Sequence, residues 1–338
     1  MKTLAIGGIR IQTYGLALAL GVCCALVLFL RGSRQKRGAE KEGFSASLSL
    51  FALLAIPLGF LCGRLSQALI SQGWYLFRQD FLFNFSRGGY LLYGVMAGIV
   101  LAAWMTSRIS HRSFPTLLDR IAAPGLLLIA VCRFAEGLIG GGYGRSIAEW
   151  FDPMLEQNMI TLEDPSFFLR FPFGIPNYYG EMCWSIFLLE GISALLFLRI
   201  VTKRRSVAPG GVFLLALLLY ASAQTWLESL RADSLPRWGF VRVNQLLSGI
   251  AAAGVLTLCS LRCLRHGGSW PWGSWAGMLG CVGLIIAMEF AVEGKIAFLQ
   301  WMKMDLCYGV MGLGSLGLIL CIRPVWKASC ISPATKTS

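Results

Sequence analysis

Apolar residues form long stretches that recur along the chain almost from end to end. An α-helix needs about 20 mostly apolar residues to cross the hydrocarbon core of a bilayer. Nine stretches near this length lie at about 11–30, 48–70, 89–106, 115–133, 183–201, 211–230, 243–261, 274–292 and 305–322. The first stretch is longer than the core of a cleavable signal peptide, and no small-residue cleavage site follows it, so we expect it to remain as a span. The pattern predicts an all-α polytopic membrane protein with about nine transmembrane helices.

Basic residues in the connecting segments predict the orientation, because Lys and Arg are enriched on the cytoplasmic side of membrane helices. They are densest after the first, third, fifth and seventh stretches and in the C-terminal tail: Arg31, Arg34, Lys36, Arg37, Lys41, Arg108, Arg112, Arg199, Lys203, Arg204, Arg205, Arg262, Arg265, Arg323, Lys327 and Lys336. This distribution places the N-terminus outside and the C-terminus in the cytoplasm. The long segment 134–182 then lies outside. Because it is both acidic and aromatic, we expect it to form an interfacial outer subdomain.

Composition narrows the possible partners. The chain is 56% hydrophobic and 14% charged, with a net charge of +13. A positive charge would also suit a nucleic-acid binder, but here the basic residues sit in short segments without an interleaved aromatic surface stretch, so we expect a membrane and no nucleic acid.

Most cysteines lie inside apolar stretches, where they act as small apolar residues. No His or second Cys pair completes a metal site beside Cys259 and Cys263, so we expect neither a metal nor a cofactor.

Charged side chains at the predicted outer ends of the spans are the candidates for chemistry, because ionisable groups at membrane depth are costly. Arg133 and Glu136 are three residues apart at the end of the fourth span, hence on one helix face. Gln224, Glu228 and Arg231 follow one another at i, i+4 and i+7 at the end of the sixth span. Each arginine is therefore predicted to share a helix face with a glutamate.

Further polar residues fall at the same predicted depth. Spans one, five and seven begin near Tyr14, Glu181 and Gln245, and the run Gly140–Gly142 follows span four. A guanidinium fork matches a phosphate with two hydrogen bonds, and glycine lets backbone amides approach an anion closely. Two arginines at headgroup level therefore indicate a phospholipid headgroup site. A single arginine would more simply snorkel at the interface, and the glycine run would equally suit close helix packing.

Several short motifs occur in order along residues 1–265. They are Arg10 to Gly15, Gly88 to Gly94, Asp119, Arg133 through Gly144 and Arg145, Pro176 to Glu181, Glu228 to Asp233, and Gln245 to Ser248. Their order, their spacing and their common outer-end location resemble the bacterial prolipoprotein diacylglyceryl transferase family.

The chain departs from the family's pattern at four positions. Tyr93 stands where the family has a His, and Glu136 where its signature has an Asn. Gly141 replaces a Glu, and Gly180 replaces a Tyr. Residues 266–338 add about two spans beyond the usual seven. These departures leave a second hypothesis open, namely a non-catalytic paralogue that binds phospholipid through the same groove.

The resemblance implies a transferase that moves a diacylglyceryl group from phosphatidylglycerol to the lipobox cysteine thiol of an exported prolipoprotein. The reaction is expected at the outer face of the bacterial cytoplasmic membrane. The resemblance implies that Arg133 and Arg231 stabilise charge on the leaving phosphate. Glu136, Glu181 and Glu228 are then candidates for the base or for orienting the arginines. Tyr93 is expected to hydrogen-bond the phosphate instead, because a phenol with a pKa near ~10 is a poor base at neutral pH.

Substrate-contacting roles are implied for a second set of residues, namely Tyr14, Gly144, Glu181, Glu228 and Gln245. Two domains are expected. Residues 1–265 form the seven-helix core, including the outer loop 134–182. Residues 266–338 form a two-helix extension, which we expect to support folding or partner contact rather than chemistry.

Overall fold

The computed structural model describes residues 3–6, 9–31, 39–72, 90–148, 169–177, 179–204, 208–233, 237–238, 241–295, 299 and 301–330. This part of the chain contains nine α-helices. They are α1 (Thr13–Arg31), α2 (Ala39–Gln72), α3 (Leu92–Ile109), α4 (Phe114–Leu138), α5 (Ile186–Thr202), α6 (Gly211–Leu230), α7 (Val243–Arg265), α8 (Trp272–Val292) and α9 (Met304–Ser329).

Each predicted span coincides with one of these helices. Eight of them are long and apolar enough to cross a membrane, with mean hydropathy between 1.3 and 2.3 over their most apolar windows. The ninth, α5, has 17 residues, which is at the short end of the usual range. Helix α2 is longer than its predicted span, because it begins at Ala39 and runs for 34 residues. The chain is a multi-pass membrane protein.

Three short antiparallel hairpins lead into helices. They are β1 (Thr3–Ile6) with β2 (Ile9–Gln12) before α1, β3 (Gly174–Pro176) with β4 (Met182–Trp184) before α5, and β5 (Arg237–Trp238) with β6 (Val241–Arg242) before α7. The β3–β4 hairpin belongs to the segment 134–182, in which an interfacial subdomain is predicted. Residues 149–168 and 178 of that segment lie outside the described part of the chain, so the subdomain stays a prediction.

Helix α6 lies at the centre of the main apolar core. It packs against α4, α5, α7 and α9, and most of its side chains are buried. Helices α2 and α3 form a separate close pair, in which Gly94 of α3 lies against Ser66 of α2. Small residues at such contacts let helix backbones approach one another, which drives packing in a lipid environment. The centre of the bundle is therefore set by α6 and its neighbours.

Asp119 of α4 fixes the start of α6. Its carboxylate accepts hydrogen bonds from the backbone N–H of Gly210 at 2.7 Å and of Phe213 at 2.9 Å. The first N–H groups of a helix have no partner within the helix, so a carboxylate from a neighbouring helix satisfies them. Asp119 is thus a structural residue of the bundle end that also carries the ends of α1, α3 and α7.

The C-terminal hairpin α8–α9 packs along the same bundle. Ser315 Oγ of α9 donates a hydrogen bond to the backbone carbonyl of Ser222 at 2.5 Å. Trp326 Nε1 donates to the carbonyl of Gly211 at 2.8 Å. The predicted division of the chain at residue 265 stays a prediction, but the extension lies directly on α6.

Candidate active site

Charged residues gather at the bundle end opposite to Asp119. This end, called here the site end, is formed by the starts of the odd-numbered helices and the ends of the even-numbered ones. Five buried or partly buried side chains form an arginine cluster there: Arg133 and Glu136 of α4, Glu190 of α5, and Arg231 and Asp233 after α6. The two sequence-predicted arginines are therefore brought together, as predicted.

Arg133 lies within the last turns of α4 and is surrounded by partners from three helices. Its Nη1 donates to Glu136 Oε1 at 2.8 Å, within the same helix. Its Nε lies 3.4 Å from Glu190 Oε2. Its Nη2 donates to the hydroxyl of Tyr220 at 3.5 Å. The guanidinium is thus held in one orientation at the contact of α4, α5 and α6.

Arg231 pairs with three carboxylates. Its Nη1 donates to Glu136 Oε2 at 2.9 Å and to Glu190 Oε2 at 3.0 Å. Its Nε and Nη2 form a fork with Asp233, at 3.0 and 3.2 Å. Burial alone would lower the pKa of Arg231, but Glu190 and Glu136 outweigh that effect and raise it above its ordinary value. Arg231 therefore stays charged.

Glu136 and Glu190 hold the two arginines side by side, because each carboxylate contacts both guanidinium groups. Two guanidinium groups face three carboxylates, so the fully ionised cluster carries a formal charge of −1. The side chains of Glu136 and Asp233 are 19% and 17% exposed, whereas that of Glu190 is fully buried. A ligand would therefore meet Glu136 and Asp233 before Glu190.

The glycine-rich segment after α4 positions Asp233 and Arg231. The N–H of Gly142 donates to Asp233 Oδ2 at 2.6 Å, and Gly142 has a φ of +72°. A Cβ at this position would lie 2.6 Å from Phe187 Cβ, so only glycine fits. Gly144 pairs with Arg231 as an isolated antiparallel bridge. Close packing is confirmed at Gly142, whereas its amide binds the protein's own Asp233 carboxylate, so binding of a ligand anion by the glycine run stays a prediction.

Glu228 belongs to a polar layer beneath the cluster. Gln224 Nε2 donates to Glu228 Oε2 at 2.7 Å and to Glu190 Oε1 at 2.8 Å. Asn244 Nδ2 donates to Glu228 Oε1 at 3.1 Å. Glu228 is 1% exposed. In the free protein Glu228 therefore anchors Gln224, which also binds Glu190, and its predicted substrate-contacting role stays a prediction.

One prediction from helix geometry is wrong. Arg231 was expected on the same helical face as Glu228, but α6 ends at Leu230 and Arg231 has extended backbone angles. The chain leaves the helix because the N–H of Ala232 donates to the carbonyl of Tyr143, next to the bridge between Gly144 and Arg231. The Arg231 side chain consequently turns towards Glu136, Glu190 and Asp233 instead.

Two tyrosines border the arginine cluster. The hydroxyl of Tyr93 forms a hydrogen bond with Ser248 Oγ at 2.6 Å, which joins the start of α3 to α7. Tyr14 at the start of α1 interacts electrostatically with Glu136 and, more weakly, with Arg231. Both predicted tyrosines therefore lie at the site end, and the Tyr93 hydroxyl is hydrogen-bonded to Ser248 of the same chain.

Glu181 and Gln245 form hydrogen bonds with partners other than Arg133 and Arg231. Glu181 Oε2 accepts a hydrogen bond from Asn177 Nδ2 at 2.9 Å in the turn between β3 and β4, where Glu181 is exposed and Asn177 is half-buried. Gln245 Nε2 donates to Ser229 Oγ at 2.9 Å and to the carbonyl of Thr225 at 3.1 Å. The structure thus gives Gln245 a role in holding α6 and leaves Glu181 on a surface turn.

Glu190 is the site residue that the sequence analysis missed. A signal was present, because Glu190 is an isolated carboxylate within the fifth apolar stretch, and such residues are functional candidates by default. Asp233 belongs to the motif Glu228 to Asp233, but helical spacing does not predict a site role for it. Its position two residues after Arg231 is the signal that pointed to it.

Comparison with known proteins agrees with the geometry. The model of the family described as prolipoprotein diacylglyceryl transferase matches residues 2–260. That match spans more than three quarters of the 338 residues. The chain belongs to the prolipoprotein diacylglyceryl transferase family.

Individual members of this transferase family are similar over most of their length. The phosphatidylglycerol–prolipoprotein diacylglyceryl transferase of Bacillus licheniformis is 29% identical over 267 residues, which cover 77% of this chain and 90% of the relative. The enzyme of the same name from Bacillus velezensis is 27% identical over 266 residues, covering 77% and 91%. That from Listeria innocua is 27% identical over 243 residues, covering 72% and 82%. The region matched by the family model, residues 2–260, contains the whole arginine cluster.

Proposed function

We propose that this protein transfers a diacylglyceryl group from phosphatidylglycerol to the lipobox cysteine of exported prolipoproteins. The observation that carries the proposal is the pair of buried arginines, Arg133 and Arg231, held side by side by Glu136 and Glu190. The family membership of residues 2–260 and the names of the relatives support the same activity.

The reaction requires positive charge at a developing phosphate. In the proposed step, the cysteine sulfur forms a bond to the terminal glycerol carbon of the diacylglyceryl group, and the bond between that carbon and the phosphate oxygen breaks. The phosphodiester of phosphatidylglycerol leaves as glycerol phosphate, and its negative charge increases by one. The thiol proton is released to a base. Preorganised cations placed where charge develops lower the barrier of such a step.

Arg133 and Arg231 are suited to this task because their guanidinium groups are fixed before the substrate arrives. The cluster carries a formal charge of −1, so an incoming phosphate has to take over contacts that a carboxylate now makes. Glu136 is the carboxylate that bridges both arginines and remains partly exposed. We therefore assign Glu136 two tasks: it orients the arginines in the free protein and, once displaced by phosphate, accepts the thiol proton.

The thiol itself needs activation, since an unperturbed cysteine has a pKa near ~8.5 and the thiolate is the nucleophile. Because the cluster as a whole carries a formal charge of −1, we assign this activation to proton transfer onto Glu136 rather than to the field of the two arginines. Tyr93 is hydrogen-bonded to Ser248, so we assign it to shaping the pocket and donating a hydrogen bond rather than to proton abstraction.

The charge bias supports the orientation of the protein. The basic residues Arg31, Arg108 and Arg265 lie at the ends of α1, α3 and α7, at the bundle end opposite to the arginine cluster. By the positive-inside rule, that end faces the cytoplasm. We infer a bacterial cytoplasmic membrane location with the N-terminus outside, the C-terminus inside and the arginine cluster at the outer leaflet. Both substrates are accessible from that side.

The test uses the purified full-length protein in detergent with phosphatidylglycerol and a synthetic lipobox peptide. Peptide mass and glycerol phosphate release are followed together. The proposal predicts a thioether-linked diacylglyceryl peptide and an equal amount of glycerol phosphate, both lost in Arg133→Gln. If no product forms but phosphatidylglycerol binds in an arginine-dependent way, the protein is the non-catalytic paralogue. If neither occurs, the arginine cluster has a structural role only.

A further inference from the structure

The C-terminal hairpin α8–α9 lies beyond residues 2–260, the part that the family model matches. It is nevertheless bonded to the core along its length. At the end opposite the site, Trp275 Nε1 donates to Ser260 Oγ at 3.3 Å. Nearer the middle, the Ser315 hydroxyl bonds the backbone of α6. The hairpin is therefore placed so that its other end reaches the site end of the bundle.

At the site end, α8 contributes a buried carboxylate. Glu289 is 6% exposed, in a helix whose most apolar window has a mean hydropathy of 1.9. Placing a carboxylate in such an apolar segment costs free energy, so the residue is a candidate for a functional role. Glu289 Oε2 accepts a hydrogen bond from Gln245 Nε2 at 3.4 Å. The appended hairpin thus contacts a residue that belongs to the family's part of the chain.

Glu289 also acts on Arg242, the residue before α7. Arg242 is 3% exposed, and its Nη1 donates to the backbone carbonyl of Glu228. Burial lowers the pKa of Arg242, and the charge of Glu289 opposes that change. Arg237 pairs with Arg242 across the β5–β6 hairpin. Tyr308 of α9 interacts with Arg242 as well. The charge of Glu289 therefore favours the charged form of the buried Arg242.

The contacts of Gln245 and Arg242 lead to the end of α6. Gln245 Nε2 binds Thr225 O and Ser229 Oγ in the last turns of α6, and Arg242 binds the carbonyl of Glu228. Arg231 follows these residues directly. A shift of the α6 terminus would therefore move the guanidinium that pairs with the cluster carboxylates.

We propose that Glu289, supplied by the appended hairpin, is a positioning residue of the active site. Its carboxylate orients Gln245, and through Gln245 it fixes the end of α6 that carries Arg231. The inference rests on the proposed transferase function. It revises the expectation that residues 266–338 take no part in the chemistry.

The experiment uses the full-length protein and separates kcat from KM for phosphatidylglycerol. Glu289→Gln keeps a hydrogen-bond acceptor and removes the charge. Glu293→Gln, four residues further along at the exposed end of α8, is the matched control. We expect Glu289→Gln to lower kcat roughly tenfold or more, because small misplacements of a catalytic group have such effects. Glu289→Asp should recover part of the loss, and the control should behave as wild type with a similar Tm.

A double-mutant cycle distinguishes positioning from general destabilisation. If Glu289 acts through Gln245, the double variant Glu289→Gln with Gln245→Met is no slower than Gln245→Met alone, since coupled residues are non-additive. Wild-type kcat in Glu289→Gln, or losses that multiply in the double variant, would overturn the proposal. If Glu289→Gln does not fold, Gln245→Met interrupts the same contacts without changing a charge. A lowered kcat in Gln245→Met then supports the proposal, and wild-type kcat overturns it.

A failure of the transferase function itself gives a different result. The wild type would then release no glycerol phosphate, and the same variants would be compared for Arg231-dependent binding of vesicles that contain phosphatidylglycerol. Weaker binding by Glu289→Gln than by Glu293→Gln supports the positioning role without any turnover. Equal binding by the two variants overturns it.

Discussion

Replacing Arg231 by Gln tests the arginine cluster most directly. Arg231 makes four contacts to three carboxylates, at 2.9 Å to Glu136, 3.0 Å to Glu190, and 3.0 and 3.2 Å to Asp233. Losing one preorganised donor at a site of developing charge typically costs about 2.7–4 kcal/mol, or roughly 100- to 1000-fold in rate. We expect a loss of that size in kcat/KM for Arg231→Gln.

The same substitution also lowers stability, and the two effects have to be separated. Removing one partner of a buried ion pair costs about 3–5 kcal/mol, because the other partner keeps an uncompensated buried charge. Here Glu190 retains its contact with Arg133, and Asp233 retains the Gly142 amide. The free energy of unfolding of a typical protein is about 5–15 kcal/mol, so we expect the variant to fold with a lower Tm.

Arg231→Lys separates charge from geometry. A lysine keeps the positive charge, but its point-like ammonium cannot reproduce the fork on Asp233 together with the contacts to Glu136 and Glu190. We expect its kcat/KM to lie between wild type and Arg231→Gln. Arg265→Gln, an exposed arginine in the last turn of α7 at the opposite bundle end, is the control. If Arg231→Gln melts lower but turns over like the control, the guanidinium does not stabilise the leaving phosphate and the mechanism is wrong.

Three further predictions address the surroundings of the cluster. Tyr93→Phe removes one hydrogen bond and no charge, so it should lower the free energy of unfolding by about 0.5–1.5 kcal/mol, measured from the change in Tm, and should lower kcat less than tenfold. Gly142→Ala should lower Tm and activity more than Gly140→Ala; both positions have positive φ, but only the former would clash, with Phe187. The last prediction concerns orientation and uses a cysteine-free background with an impermeant maleimide on whole cells. The reagent should label Tyr179→Cys, whose position on the β3–β4 turn is 82% exposed, and should not label His266→Cys after α7. The reverse pattern would show that the orientation is inverted.

The helices were predictable because the length of an apolar stretch is a local property of the sequence. Each predicted span coincides with a helix, including the weakly apolar α3 and the glycine-rich α8. The pairing of Arg133 with Glu136 was predictable for the same reason, since both lie on one turn of α4. The resemblance supplied Asp233 as part of a motif, but without its contact to Arg231.

The contacts that complete the site were not predictable from local patterns. The end of α6 before Arg231 depends on pairing with Tyr143 and Gly144, about 90 residues earlier in the chain. The role of Glu190 depends on guanidinium groups from two other helices. Helical periodicity describes one helix at a time. It therefore predicted that Glu228 and Arg231 share a helix face, and it could not indicate that Glu190 contacts arginines from two other elements.

Helix α6 is tied to α4 at both of its ends. At one end, the Asp119 carboxylate binds the first amides of α6, and at the other, Glu136 of α4 binds Arg231. Sliding or tilting of α6 along α4 would break buried charge pairs or leave helix amides without a partner. These contacts therefore set the spacing of the two arginines in the free protein, before a phospholipid arrives.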